Sequence, residues 1–418
     1  MNLGLFIKFL KINFRKIIVP FLLFVLVFIV YFGVGTRWTF KPRWGLDYFN
    51  PLAESLRVGR LDLPVVGTTY DLSYFQGKRY ATWGILPALL LIPIQIIKGR
   101  YIPIFYLSLL FSGLNVVVVY LLLRRIKEEF LPVFSNLSVI LVTFLFAFGT
   151  AHFYIGTLSS VWHVEQIVST FPALLGTYLI FKKKRKAIDY FLSTTAFGLT
   201  LLGKANMVLL VFLPISLYFV DVFKRGLFRQ WRTWCTQAIM IFGLPLLVFS
   251  SMFFLYNYLR FANPFENGYR YINENPHFYQ VRQKNGIWSI KNAPRNFWYM
   301  ALEMPSLTLD NNQKVKLNFN LEGNSIFFLT PPLLAAFLAS PLNPYILSLW
   351  LTLIISLVPI LMIYSTGWMQ FGYRYSLDFL VLLILLSVFG IKGRVNFLYF
   401  LGIVFAVWMY LMGINALM

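Results

Sequence analysis

Residues 82–97 read Thr82-Trp83-Gly84-Ile85-Leu86-Pro87-Ala88-Leu89-Leu90-Leu91-Ile92-Pro93-Ile94-Gln95-Ile96-Ile97. If this apolar stretch crosses a bilayer, every later loop changes side. Two arguments keep it on one face. The stretch is short for a hydrocarbon core of roughly 30 Å, and it carries Pro87 and Pro93. Basic residues in short loops also collect on the cytoplasmic side. With 82–97 left out of the span count, Arg124, Arg125 and Lys127 share that side with the run Lys182 to Lys186. The cluster Lys224, Arg225, Arg229 and Arg232 joins them, as does the pair Lys392 and Arg394. With 82–97 counted as a span, all of these turn outward. The stretch therefore reads as a re-entrant or interfacial element.

Outward from this stretch, clear apolar segments lie near 17–35, 103–123, 133–151, 161–181, 205–222, 237–258, 345–364, 375–391 and 396–414. Weaker ones lie near 188–203 and 326–340. The chain is 59% hydrophobic and 12% charged, where soluble domains carry about 25% charge. The strict alternation of a membrane barrel is absent. These features predict an all-α polytopic membrane protein with about eleven transmembrane helices, N-terminus cytoplasmic and C-terminus outside. The expected organisation is one domain over 1–418, with long outer loops at 36–102 and 260–325. Segment 188–222 becomes two short helices that meet outside at Gly203-Lys204-Ala205-Asn206. Lys8, Lys11, Arg15 and Lys16 precede an apolar run to Gly35 that is too long for a signal-peptide core. That run reads as an uncleaved first span.

The formal net charge is +22, yet the basic residues sit in short loops rather than in a basic soluble domain. A nucleic-acid partner is therefore excluded, and membrane lipid is the expected partner of this charge. A single cysteine, Cys235, allows no intramolecular disulfide and reads as a packed or lipid-facing thiol. No internal repeat is evident, so the inverted halves of many transporters are not supported. Acids sort unevenly across this topology. Glu128, Glu129, Asp189 and Asp221 fall inside, beside basic clusters. Asp47, Glu54, Asp62, Asp71, Glu165, Glu266, Glu274, Glu303, Asp310 and Glu322 fall outside, with Asp378 at the head of a span. His152, His163 and His277 are outward or close to it. Acid–base groups thus concentrate on one face, at the membrane surface.

Several motifs along that face stand in order. The first loop has Asp47-Tyr48-Phe49-Asn50-Pro51-Leu52-Ala53-Glu54-Ser55-Leu56, then Gly59-Arg60-Leu61-Asp62-Leu63. Asp71-Leu72-Ser73-Tyr74-Phe75, Gly77-Lys78-Arg79-Tyr80 and Gly84-Ile85-Leu86-Pro87 come next. Trp162-His163 opens a span, and Leu201-Leu202-Gly203-Lys204 forms a hairpin. Asn263-Pro264-Phe265-Glu266-Asn267-Gly268-Tyr269-Arg270-Tyr271 and Gly367-Trp368-Met369-Gln370-Phe371-Gly372-Tyr373-Arg374-Tyr375 come last. This series resembles the polyprenyl-phosphate-sugar-dependent glycosyltransferases of the C-type membrane fold. Protein O-mannosyltransferases and aminoarabinose lipid A transferases belong to that group. The His-Pro-Pro of many mannosyltransferases is replaced here by Thr82-Trp83-Gly84, which argues against a protein mannosyltransferase.

The resemblance implies an inverting glycosyltransferase in the plasma (inner) membrane, active on its outer face. It would move a monosaccharide from a polyprenyl-phosphate donor to a lipid, glycan or cell-envelope acceptor. Asp47 is the expected general base, because relatives keep an acid just past the first span. Lys204, Arg270 and Arg374 are the expected donor-phosphate ligands. Lys204 is an isolated cation between apolar helices, costly unless it meets an anion, and both arginines lie between aromatics. For Arg374 the rival reading is an ion pair with Asp378 at i+4. Glu54, His163, Glu165 and Tyr269 are the expected substrate-positioning residues. Asn50 is expected to cap a helix 50–58 with Pro51 in its first turn. No cofactor is assigned, and His163 and Glu165 point in different directions on a helix, against a joint metal site. Rival readings are a lipid flippase or transporter and an O-antigen ligase- or polymerase-like enzyme with a diphosphate donor.

Overall fold

The computed structural model describes residues 3–64, 67–226, 230–309 and 315–417. Arg229 and Asp310 lie outside the described residues, as do the side chains of Lys8, Lys11, Arg15 and Lys16. The chain is mostly helical with little strand, as expected of an all-α membrane protein. Among the described residues, six helices are long and apolar enough to cross a membrane: Ile17–Gly35, Phe105–Glu129, Ala205–Lys224, Arg232–Phe261, Pro344–Met362 and Phe397–Leu417. The other expected spans take different forms. Asn136–Phe148, Ala187–Leu202 and Leu380–Gly390 are shorter apolar helices. Val161–Ile180 is long but carries His163, Glu165 and Gln166 in its first turns. The segment near 326–340 is a single turn, Ile326–Leu329, followed by the 3-10 helix Pro331–Leu338.

The stretch that decided the topology folds as the helix Leu86–Lys98. Its 13 residues rise about 20 Å at 1.5 Å each, less than a bilayer core. The left-handed Gly99 ends it, with φ of 64°. It packs on the short helix Phe49–Arg57, and Gln95 Nε2 donates to Asn50 O at 3.0 Å.

Two ends of the bundle separate clearly. At one end Arg185 meets Asp221 at 2.6 Å, Lys182 meets Asp189 at 2.7 Å, and Arg124 meets Glu128 at 3.2 Å. Phe130, Phe181, Tyr345 and Phe389 pack together beneath these pairs. These are the loops assigned to a common side from charge. The opposite end is built from residues 36–64, 67–104, 158–163, 203–206, 263–309, 315–325 and 363–375. There the hairpin Leu72–Phe75 and Lys78–Ala81 pairs Leu72 with Ala81. Its turn uses Gln76 and Gly77, both at positive φ, the backbone that suits the right-handed twist of a hairpin. Ser73 Oγ ties the hairpin to the later loop by donating to Gly268 O at 2.8 Å. Glu322–Asn324 pairs in parallel with Gln370–Gly372 and joins the last two outer segments.

His152 departs from the outward position expected for it. It is fully buried, with Nδ1 2.8 Å from the Tyr31 hydroxyl and its ring against Phe146. A short helix, Ala151–Gly156, draws it back into the bundle.

Candidate active site

A two-lobed cavity opens at the loop end. Its outer lobe, about 370 Å³, lies between the first-loop hairpin, the head of helix Val161–Ile180 and the later loops. Its inner lobe, about 120 Å³, runs toward helices Leu244–Phe261 and Pro344–Met362. Glu165, Lys204, Tyr269 and Tyr375 line both lobes and mark their junction.

Close backbone contacts build this junction. A Cβ on Gly84 would stand 2.2 Å from Gly203 O, and one on Gly203 would stand 2.1 Å from Ser169 Oγ. Glycine at 84 lets the first loop touch the backbone of the 203–206 turn, and glycine at 203 leaves room for the Ser169 hydroxyl. Gly84 N then donates to Glu165 Oε1 at 2.7 Å, and Lys204 N donates to Ser169 Oγ at 2.9 Å. The Lys204 ammonium rests 4.4 Å from the centre of the Tyr375 ring.

Asp378 lies beneath the junction, almost wholly buried. Gln166 Nε2 donates to its Oδ1 at 2.7 Å, and Asn206 Nδ2 donates to its Oδ2. Lys204 Nζ approaches Oδ2 at 3.9 Å. The rival i+4 pair between Arg374 and Asp378 does not form, because Lys204 and two amides occupy that carboxylate. Arg374 is 8% exposed, and its Nε has no hydrogen-bond partner among the described residues. Gly367, at φ of 107°, leaves room for that nitrogen: a Cβ there would stand 2.7 Å from it. Two cations with spare donors thus face one cavity, a setting suited to an anionic ligand.

Asp71 lines the wall of the outer lobe. Its φ is 59°, uncommon outside glycine. Asp71 N donates to Asn273 O at 2.6 Å, and Thr82 Oγ1 donates to Asp71 O at 3.0 Å, which together fix that backbone. Trp162 Nε1 donates to Asp71 Oδ2 at 2.9 Å, and none of the described residues hydrogen-bonds Oδ1. Burial lifts the Asp71 carboxyl to about 6, against the smaller pull of the Trp162 bond and of Arg374. Glu274 also faces the lobe, but Arg282 Nε at 2.6 Å and the Tyr364 hydroxyl already hold it.

Of the eight site residues assigned from sequence, Lys204, Arg374, His163, Glu165 and Tyr269 line this cavity. His163 and Glu165 reach the same lobe despite their spacing, because the lobe wraps the head of their helix. Three are placed elsewhere. Asp47 accepts from Phe49 N at 2.9 Å and Asn50 N at 3.1 Å, and also from Asn50 Nδ2. It therefore caps the helix Phe49–Arg57, the role expected of Asn50, whose own amide is spent on Asp47 and Ile102 O. Val161 N donates to Leu46 O at 2.9 Å, so Asp47 stands beside the cavity wall without lining it. Burial raises its carboxyl, and the bonds from residues 49 and 50 oppose that shift. Glu54 points outward and accepts from the Tyr101 hydroxyl. Arg270 has a side chain 72% exposed and pairs loosely with Glu266 at 3.8 Å.

Sequence reading gave Asp71, Asn206, Trp162 and Trp83 no role in the site. The one available signal was Asp71 opening the strand that precedes Gly77-Lys78. Among the described residues, no three His, Cys, Asp or Glu side chains gather as a metal-ligand group. No family model matches the chain, and neither curated proteins nor solved structures supply a match.

Proposed function

We propose that this protein is an inverting glycosyltransferase that uses a polyprenyl-phosphate sugar at the outer face of the plasma membrane. The observation that carries this reading is the junction itself. Lys204 offers positive charge where the two lobes meet, Arg374 adds to it from the outer lobe, and Asp71 offers a carboxylate with a free oxygen in that lobe. The order of outer-loop motifs along the chain supports the same reading.

In this mechanism the donor phosphate sits between Lys204 and Arg374, with the sugar in the outer lobe and the lipid directed along the inner lobe. An acceptor hydroxyl gives its proton to Asp71, and its oxygen attacks the anomeric carbon. The bond from that carbon to the phosphate oxygen breaks, and the electron pair leaves with polyprenyl phosphate. The extra negative charge on the phosphate is what the two cations stabilise. An acid near 6 suits this task, since it is mostly ionised at neutral pH yet retains proton affinity. Asp71 takes the base role here in place of Asp47, because the carboxylate of Asp47 is engaged in capping. Glu165 and Asp378 hold Lys204 in position.

The test is transfer of labelled sugar from polyprenyl-phosphate monosaccharides by purified protein, with Asp71→Asn and Asp47→Asn beside it. Asp71→Asn is predicted to lower turnover by roughly 10²–10⁴-fold, the usual worth of a general base. Full activity in Asp71→Asn with none in Asp47→Asn would return the role to Asp47. No consumption of any donor by the wild type, with acceptor membranes supplied, would favour a diphosphate-donor enzyme or a flippase.

A further inference from the structure

The outer lobe holds more than the donor chemistry needs. Two groups of aromatic rings line it. Tyr70, Trp83 and Trp162 form one, with Trp162 edge-on to both neighbours at 6.5 and 6.2 Å. Phe278, Tyr364 and Trp368 form the other, with Phe278 edge-on to Trp368 at 5.9 Å. Trp162, Trp368 and Tyr70 remain partly accessible to a ligand. Trp368 and Met369 line the lobe with positive φ of 43° and 52°, a backbone conformation that costs energy outside glycine.

The outer lobe carries donors and acceptors together: Arg374, His163, Ser160 and Tyr70 line it beside Asp71 and Glu274. Glu274 is held by Arg282 and Tyr364, whereas Asp71 keeps Oδ1 for a ligand. A ligand with hydroxyls around an apolar face is well served, since flat rings cover its C–H surface and Asp71 takes an O–H group. Asp71 and Trp162 are joined by a hydrogen bond, so such a face on the indole brings a hydroxyl to the free oxygen of Asp71.

We propose that the outer lobe binds the acceptor as a sugar ring seated on Trp162, so that the acceptor hydroxyl belongs to a carbohydrate. This rests on the glycosyltransferase reading. A ring hydroxyl of the acceptor gives its proton to Asp71, its oxygen bonds to the anomeric carbon of the donor, and polyprenyl phosphate leaves with the electron pair. A glycan and a glycolipid headgroup offer the same chemistry, and the experiment separates them.

The protein is reconstituted in lipid nanodiscs without glycoside detergent. Saturation-transfer NMR then probes methyl glycosides of glucose, mannose and galactose, with phosphoethanolamine and a Ser/Thr peptide for comparison. One glycoside is expected to receive saturation on its C–H face. The signal is expected to fall several-fold in Trp162→Ala, to survive in Trp162→Phe, which keeps a ring, and to be unchanged in the lipid-facing control Trp408→Ala. The same glycosides, soluble or carried on a lipid chain, are then offered as acceptors, and whichever form accepts names the source. Donor turnover with only phosphoethanolamine or peptide as acceptor would overturn this proposal and leave the glycosyltransferase reading standing. Glycoside binding through Trp162 with no donor consumed would do the reverse. Equal saturation in wild type and Trp162→Ala would remove Trp162 from any sugar site.

Discussion

Asp71 and Asp47 are both loop acids beside aromatics, and their surroundings divide them. Asp47 spends its oxygens on amides two and three residues ahead, which is how a cap stabilises a helix start. Asp47→Ala is predicted to cost about 1 kcal/mol through the lost cap, read as a lowered melting temperature with transfer retained. Asp71 keeps one oxygen for the lobe, and burial raises its carboxyl from 3.8 to about 6. Because the shift is upward, the fold favours the protonated acid. The charged form destabilises the native state, fully above about 6 and not at all below the ordinary value near 4. Asp71→Asn is therefore predicted to raise thermal stability at pH 8 and to leave it unchanged at pH 3. Transfer by the wild type should fall as pH drops through 6, since the base must be ionised. A flat rate profile between pH 5 and 8 would argue against Asp71 as the base. Locally, the sequence around either acid is compatible with a cap or a base. What separates them is Trp162, whose indole reaches Asp71 across 91 residues of chain.

At the scale of elements, the site depends on two turns that touch through glycine. Gly84 allows the first loop to press on the 203–206 turn, and that contact aims Lys204 at the cavity. Gly84→Ala would force a Cβ to within 2.2 Å of a carbonyl oxygen, and neither backbone can yield cheaply. The expected outcome is a loss of stability of about 1–3 kcal/mol with transfer abolished, measured by melting and donor turnover. Gly67→Ala, in open space and without a positive φ, is the comparison. The shortness of helix Leu86–Lys98 was legible in advance from the length of its apolar run and its prolines. The shortness of Asn136–Phe148 and Leu380–Gly390 was not, because buried helices and spanning helices share an apolar composition. Leu380–Gly390 is buried along nearly its whole length, so protein rather than lipid surrounds it.

For the whole molecule, the two ends give a direct test of topology. Beginning from Cys235→Ser, single cysteines at Gly59, Gly99 and Lys184 are predicted to sort by side. Gly59→Cys and Gly99→Cys should react with an impermeant thiol reagent from one face, and Lys184→Cys from the other. Reaction of Gly59→Cys and Gly99→Cys from opposite faces would mean that Leu86–Lys98 crosses the membrane.

Sequence alone determined the features that arise from summed local properties. Hydropathy specified a helical membrane protein, and loop charge grouped Arg124, Arg185 and Lys224 at one end before any contact was known. It also picked out Lys204 and Arg374, because an isolated cation among apolar or aromatic neighbours is costly wherever the chain folds. The tertiary structure alone decided which acids share a cavity with those cations. Glu165 and Asp71 reach it through contacts spanning many tens of residues, whereas Asp47, Glu54 and Arg270 are directed elsewhere by other partners. A charge reports its own solvation cost in the sequence. Its partner is a property of packing, which no local pattern carries.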